Sequence, residues 1–158
     1  MGVGKTTIGS LLAKQLDYRF LDTDQKLEQQ TGANVSLIFD IEGEKGFRKR
    51  EQEVISQLVL LDHIVIATGG GAILLEENRK ALRKNSLVVY LQGKIDTLLH
   101  RTRKNKNRPL LNTSDPKKTI EKILKDRAHL YAEMADIQVN VDDLPAESVV
   151  STILSLLP

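Results

Sequence analysis

The residues best suited to chemistry lie near the start of the chain, where Gly4, Lys5 and Thr6 form a glycine-lysine-threonine run. This run ends the phosphate-binding motif G-x-x-x-x-G-K-[ST], in which backbone N–H groups and a helix N-terminus face phosphate oxygens. Lys5 would reach the β- and γ-phosphates, and the Thr6 hydroxyl would bind Mg²⁺. The alternative is an ordinary glycine-rich turn. Helical spacing of the following apolar residues favours the loop. They are Ile8, Leu11, Leu12 and Leu16.

Two aspartates, Asp22 and Asp24, end the strand-like segment "RFLDTD". A two-residue spacing in a strand puts both on one face, at the edge where parallel sheets bind ligands. One could hold Mg²⁺ through water while the other accepts a proton from a substrate hydroxyl. The alternative is a helix N-cap, which accounts for one aspartate but not for both.

Three glycines, Gly69, Gly70 and Gly71, follow a predicted strand over 63–68. A turn needs only one or two glycines with positive φ, so three in a row suggest a ligand lying directly against the backbone. A loose connector is the alternative interpretation.

Basic residues occur both singly and in a cluster. Arg48 lies on a predicted helix with Glu51 three residues on, so an ion pair could orient it, although its basic neighbours Lys49 and Arg50 favour solvated surface. Arg127 alone would be interpreted as surface. The polar stretch 101–115 contains a basic cluster, including Arg108 before a proline, and suggests a mobile loop over a site. The three histidines show no metal-ligand spacing and are interpreted as structural.

These residues are positioned by alternating short apolar runs and helical stretches. Strands are predicted over 19–24, 63–68, 87–92 and 137–141. Helices are predicted from near Thr6 and over 43–61, 76–84, 94–103, 116–134 and 145–157. Strands without alternation, separated by helices, indicate an α/β fold with a parallel sheet covered on both faces.

Composition sets further limits. The chain has 158 residues, 41% hydrophobic and 28% charged, which suits one soluble domain over 1–158. A net charge of +2 does not require a nucleic-acid partner, and the absence of cysteine excludes disulfides and thiolate metal sites. No apolar run approaches the ~18 residues of a membrane helix.

Six motifs in order resemble shikimate kinase, a small P-loop kinase of the aromatic amino-acid pathway. They are G-x-G-K-[ST]-T-x-G, D-x-D, G-E-x-x-F-R, T-G-G-G, R-P-L-L and R-x-x-L-Y, and together they cover nearly the whole chain. The resemblance implies a three-layer fold with family strand order 2-3-1-4-5. It also implies transfer of the ATP γ-phosphoryl group to the 3-hydroxyl of shikimate with Mg²⁺, in a cytoplasmic monomer that binds neither nucleic acid nor membrane.

The resemblance also implies site residues. ATP would be bound by Gly2, Val3, Gly4, Lys5, Thr6, Thr7, Arg101 and Arg108. Thr6 and Asp22 would hold the metal. Shikimate would be bound within region 24–52 and beyond, by Asp24, Phe39, Phe47, Arg48, Gly69, Gly70, Gly71 and Arg127. Lys5, Asp24 as base and the lid residue Arg108 would be catalytic, with a lid over 101–115. Asn140 to Pro145 match the family's adenine loop only loosely.

The family motif has a strand and a first glycine ahead of the residues present here. We therefore expect the central strand of the sheet to be missing from this chain. If the protein begins at Met1, we expect its fold to be intact only in part and its ATP binding to be weak. Three alternatives stay open: a gluconate kinase-like P-loop enzyme, a nucleotide-binding domain without catalysis, and, least favoured, a nucleic-acid-binding module.

Overall fold

A computed structural model describes residues 2–102 and 113–158. Helix α1 (Lys5–Leu16) is followed by β1 (Arg19–Asp22), α2 (Thr23–Thr31) and α3 (Val35–Leu58). Next come β2 (Ile64–Ala67), a short 3₁₀ turn (Ala72–Leu74), α4 (Glu76–Asn85) and β3 (Val89–Gln92). The remaining elements are α5 (Ile95–Thr102), α6 (Pro116–Met134), β4 (Ile137–Asn140) and α7 (Ala146–Leu156).

The described strands form two parallel pairs, β1 with β2 and β3 with β4. Asp22 pairs with Ala67 at the carboxyl end of the first pair, and Gln92 pairs with Asn140 at that of the second. Both pairings agree with the predicted parallel sheet and with strands 2-3 and 4-5 of the family order. Within the described residues no ladder joins β2 to β3.

The packing between the layers is apolar. One cluster joins α1 and α7 to β3 and β4, and Val65 of β2 packs against it, so the two strand pairs share one core. A second cluster lies under α4 and the 3₁₀ turn, and a third joins α2 to α3 through Leu27 and Phe47. These cores hold the carboxyl ends of β1 and β2 against α3 and α6. Among the described residues no helix is both long and apolar enough to cross a membrane.

The sequence-based helix prediction was wrong over 24–42, where it placed no helix. Helix α2 buries only Thr23 and Leu27, too few apolar residues to give a helical period. Asp22 caps its start, and Gly32, with φ 69°, ends it. Helix α3 begins at Val35, capped by the Asn34 side chain, and a kink at Gly43 (φ 68°) hid its first turns from the sequence pattern.

Candidate functional site

The phosphate loop is shaped by glycines in left-handed conformations. Gly2 has φ 74° and Gly4 φ 89°, and Gly4 is the N-cap of α1. A Cβ on Gly2 would lie 2.9 Å from the Leu98 carbonyl oxygen, so the loop passes directly against α5. At both glycines the backbone therefore has a left-handed conformation, which other residues adopt only at a cost in free energy.

Asp22 links the phosphate loop to α2. Its Oδ2 accepts a hydrogen bond from the Thr6 hydroxyl at 3.0 Å. Its Oδ1 accepts from the backbone N–H groups of Asp24 and Gln25 at 3.0 and 3.3 Å. The capping interpretation is thus confirmed for Asp22. The two-residue strand argument for Asp24 is wrong, because β1 ends at Asp22 and Asp24 lies in the first turn of α2.

The Asp24 carboxylate lies within electrostatic reach of Asp22, Lys5 and Arg48. Its Oδ1 is buried, with no hydrogen-bond partner among the described residues. Burial raises the pKa of Asp24, and the neighbouring Asp22 raises it further, while Lys5 and Arg48 act in the opposite direction. A partly desolvated carboxylate with an open oxygen is suited to accepting a proton or a hydroxyl hydrogen bond.

The triple glycine lies against charged side chains. A Cβ on Gly69 would lie 2.7 Å from Glu51 Oε1 and 3.3 Å from Asp24 Oδ1. A Cβ on Gly71 would lie 2.2 Å from Arg48 Nη2. The loose-connector interpretation is wrong, because this backbone makes close contacts. The close approach that we attributed to a ligand is made here by Glu51 and Arg48.

Arg48 is buried on α3 and held by two carboxylates. Its Nη1 donates to Glu51 Oε2 at 2.7 Å, which confirms the predicted ion pair. Its Nε and Nη2 donate to Glu44 Oε1 at 3.4 and 3.2 Å. Glu44 is half exposed, whereas only 1% of the Glu51 side chain is exposed. Burial raises the pKa of Glu51, while Arg48 acts to lower it.

Arg127 reaches the same loop from α6. It is 9% exposed, and its Nη1 donates to the Gly70 carbonyl at 3.3 Å. The interpretation of Arg127 as surface was therefore wrong, because the tertiary fold turns this face of α6 inward. The Tyr131 hydroxyl donates to the same carbonyl.

Phe39 and Phe47 pack together with ring centroids 4.4 Å apart. Phe47 is 4% exposed within the α2–α3 core, and the Arg48 guanidinium lies 5.2 Å from its ring centroid. Both rings therefore stabilise the helix that carries Arg48.

Arg101 joins the phosphate loop to the predicted adenine stretch. Its Nη1 donates to the Val3 carbonyl at 3.3 Å and its Nη2 to the Val141 carbonyl at 3.4 Å. Asp142 in that stretch accepts the Lys94 N–H at 2.8 Å, and this bond lowers the pKa of Asp142. These contacts bring residues 3, 101 and 141 together.

Two predicted features, the lid and the metal site, are described only in part. Arg108 lies outside the described residues, as does most of the predicted lid. Within residues 2–102 and 113–158 no group of three or more acidic, histidine or cysteine side chains is arranged to hold a metal. Mg²⁺ commonly uses one or two protein oxygens with phosphates and water, so the Thr6–Asp22 pair fits it by its donor chemistry.

Sequence reasoning missed three residues that shape the site. Thr23, 1% exposed, accepts the Gly69 N–H at 3.1 Å on its hydroxyl, and it lies between the two aspartates already singled out. Glu44 stands in the G-E-x-x-F-R motif. Tyr131 ends the R-x-x-L-Y motif, where its spacing of four from Arg127 on a helix could have found it.

The parallel strand pairs, the glycine loop at the start of α1 and the Thr6–Asp22 pair are those of a P-loop kinase. A family model described as shikimate kinase matches residues 1–158. A shikimate kinase of Pseudomonas fluorescens is 49% identical over 157 residues, covering 99% of this chain and 91% of that protein. The chain belongs to the shikimate kinase family.

Solved structures agree with this assignment. A shikimate kinase of Acinetobacter baumannii, in complex with shikimate, is 42% identical with a TM-score of 0.97, covering 99% of this chain and 87% of that one. A gluconokinase of Sinorhizobium meliloti is 17% identical with a TM-score of 0.60, covering 99% of this chain and 86% of that one. The second likeness shows a shared fold alone.

Proposed function

We propose that the protein transfers the γ-phosphoryl group of ATP to the 3-hydroxyl of shikimate, giving shikimate 3-phosphate and ADP. The observation that carries this proposal is the meeting of two buried arginines, Arg48 and Arg127, at one glycine loop beside the open oxygen of Asp24. Guanidinium groups bind carboxylates in a fixed geometry, so the pair suits an anionic substrate whose hydroxyl faces Asp24.

ATP would bind at the phosphate loop. Backbone N–H groups from Gly2 to Thr7 would face the phosphates, with Lys5 on the γ-phosphate and Arg101 beside the adenine. The contact between Arg101 and the Val3 carbonyl supports this placement. Thr6 and Asp22 would hold Mg²⁺, which when bound neutralises charge on the transferring group. The Thr6–Asp22 hydrogen bond would then be exchanged for contacts to the metal and its water.

Shikimate would bind between α3, α6 and the triple glycine. Arg48 and Arg127 would take its carboxylate, Gly69 to Gly71 would lie under the ring, and Phe39 and Phe47 would support one wall. Glu51 already forms an ion pair with Arg48 on the buried side of the guanidinium. Glu44, on the exposed side, would move aside where the substrate carboxylate needs the same guanidinium edge.

The chemical step is an in-line transfer. As the 3-oxygen forms its bond to the γ-phosphorus, the bond from phosphorus to the bridging oxygen of ADP breaks, and the hydroxyl proton passes to Asp24. Lys5 stabilises charge on the phosphoryl oxygens. Burial of Asp24 supports this role, because a raised pKa makes a carboxylate a stronger base.

The lid, the domain organisation, the cytoplasmic location and the monomeric state stay predictions. In the lid we propose Arg108 as a second cation on the γ-phosphoryl group, with closure of 101–115 excluding water from the transfer. Replacing Arg108 by alanine should lower turnover far more than ATP affinity, and unchanged turnover would remove it from the chemistry.

A coupled assay of ADP release tests the proposed function directly. Shikimate should support turnover in the presence of ATP and Mg²⁺, gluconate should not, and mass spectrometry should find one phosphate added to shikimate. Turnover with gluconate alone would favour the other kinase. Thermal stabilisation by ATP without turnover on either acceptor would favour a nucleotide-binding domain without catalysis.

A further inference from the structure

No role has been proposed above for Tyr131, yet its hydroxyl contacts the triple glycine, where shikimate would bind. It donates to the carbonyl of Gly70, the acceptor that Arg127 Nη1 also uses at 3.3 Å. Tyr131 follows Arg127 by four residues on α6, so both side chains leave the same face of that helix. A backbone carbonyl has two lone pairs, and these two donors can occupy both.

The ring of Tyr131 is fixed from the side away from the glycines. It stacks on Tyr90 of β3 with ring centroids 5.0 Å apart and an angle of 14° between the planes. It also packs against the apolar cluster that contains Ile55 and Met134. The position of the hydroxyl is therefore determined by β3 and the core, and no substrate is needed to set it.

The same environment keeps the Tyr131 phenol protonated, so that it can donate a hydrogen bond. Burial raises the pKa of Tyr131, although the neighbouring Arg127 acts to lower it. A protonated phenol and a guanidinium can both donate to one carbonyl without competing for a proton. Since the peptide group is planar, holding the Gly70 carbonyl also fixes the direction of the Gly71 N–H.

We propose that Tyr131 is a positioning residue for the acidic substrate: with Tyr90 behind it, it holds the Gly70 carbonyl and through it sets Arg127 and the triple glycine. It touches neither ATP nor the reacting atoms. This inference rests on the proposed function, because it assigns Tyr131 to the binding of the shikimate carboxylate.

The test is Tyr131→Phe, which removes the hydroxyl and keeps the stacked ring. We expect shikimate affinity, measured by titration calorimetry without ATP, to fall about threefold to tenfold, the effect of one hydrogen bond. ATP affinity should stay the same, and the melting temperature should fall by only a few degrees, as loss of one hydrogen bond allows. A role confined to stability would instead lower the melting temperature and leave both affinities of the folded protein unchanged. Tyr18→Phe, at an exposed tyrosine, is the matched control and should change nothing.

Two further variants distinguish positioning of Arg127 by Tyr131 from a general disturbance of the site. Tyr90→Leu removes the stacked ring but leaves the Tyr131 hydroxyl, and should weaken shikimate binding in the same direction by a smaller factor. In an Arg127→Lys background, Tyr131→Phe should cost less than twofold, because the residue it positions is already altered. A full effect in that background would overturn the proposal.

Binding and phosphorylation of shikimate by the wild-type chain are measured first, because they test the proposed function itself. If it neither binds nor phosphorylates shikimate, the proposed function fails. If it does both and Tyr131→Phe binds shikimate with wild-type affinity, the positioning role alone fails.

Discussion

Two clusters meet at Asp24 and are built in different ways. The phosphate-side cluster, Gly2 to Thr6 with Asp22, depends on backbone shape and on exposed side-chain hydrogen bonds such as that from Thr6 to Asp22. The substrate-side cluster, made of Arg48, Glu51, the triple glycine and Arg127, is a set of buried charges drawn from three separate parts of the chain. Glu51 Oε1, like Asp24 Oδ1, is buried there without a hydrogen-bond partner among the described residues.

The contrast follows from what each cluster would bind. A phosphate chain can be held by N–H groups that a short loop supplies by itself, so few long-range contacts are needed. A small carboxylate needs paired guanidinium groups, and burying those requires counter-charges such as Glu51 in fixed places. The phosphate side should therefore be sensitive to backbone changes and the substrate side to side-chain packing.

The largest effect on turnover is expected at Asp24, where the two clusters meet. Asp24→Asn keeps the size of the side chain but removes the base, so turnover should fall by roughly 10²- to 10⁴-fold. Equilibrium binding of shikimate should change much less. Asp17→Asn, at an exposed aspartate after α1, is the control and should behave as wild type. Near-normal turnover of Asp24→Asn in a coupled assay would remove Asp24 as the base.

The substrate side can be disturbed alone with Gly71→Ala. The φ of Gly71 is −95°, which alanine adopts without strain, but its Cβ would lie 2.2 Å from Arg48 Nη2 and 2.4 Å from Cζ. Arg48 must then leave its place. Because a charged hydrogen bond is worth about 1.5–3 kcal/mol, shikimate affinity should fall tenfold or more, with ATP affinity unchanged. Calorimetric titration with each ligand measures both. A matching loss of ATP affinity would mean that the clusters are not independent.

The phosphate side can be disturbed by Gly4→Ala, a purely conformational change. Alanine at φ 89° costs about 1–2 kcal/mol, although the nearest atom to its Cβ would be 3.5 Å away. Both the free energy of unfolding and ATP affinity should fall, while shikimate affinity should not. Gly32→Ala is matched to it, with φ 69° and open space around the Cβ. It should lose stability but bind ATP normally. Equal ATP affinities for the two variants would contradict the loop's role.

The same contrast explains what could be predicted from the sequence. Lys5, Thr6 and the helix after them are neighbours in the chain, so their spacing alone indicated the loop and α1. The parallel pairing and four strands over 19–24, 63–68, 87–92 and 137–141 followed from apolar runs between helices, and the ends of each strand lie within two residues of the predicted ends. Local patterns carried this information.

The substrate side could not be assembled from spacing. Arg48 and Arg127 are both basic residues on helices, and only the tertiary fold decides that they face inward. Their roles came from resemblance. Residues such as Thr23 and Tyr131 are common types whose use depends on a partner far along the chain, respectively Gly69 and Gly70. The helices over 24–42 were missed because polar faces and a kink at Gly43 left no apolar period.

The smallest effect concerns the pH dependence of stability on the substrate side. The folded pKa of Glu51 is above its ordinary value of 4.5 because of burial, so the folded state binds this proton more tightly than the unfolded state. Its contribution to stability is therefore present below pH 4.5 and is lost as pH rises through the raised pKa. One such proton limits the slope to about 1.4 kcal/mol per pH unit.

Glu51→Gln should remove this part of the slope, whatever constant offset follows from losing the ion pair with Arg48. Asp24, whose pKa is also raised by burial, should leave a residual slope of the same sign. Urea unfolding at a series of pH values from 4 upward measures the effect. Glu53→Gln, at an exposed position of α3, should keep the wild-type slope. An unchanged slope in Glu51→Gln would show that the cost of its burial is balanced by Arg48, and that this side of the site carries no net penalty for its charge.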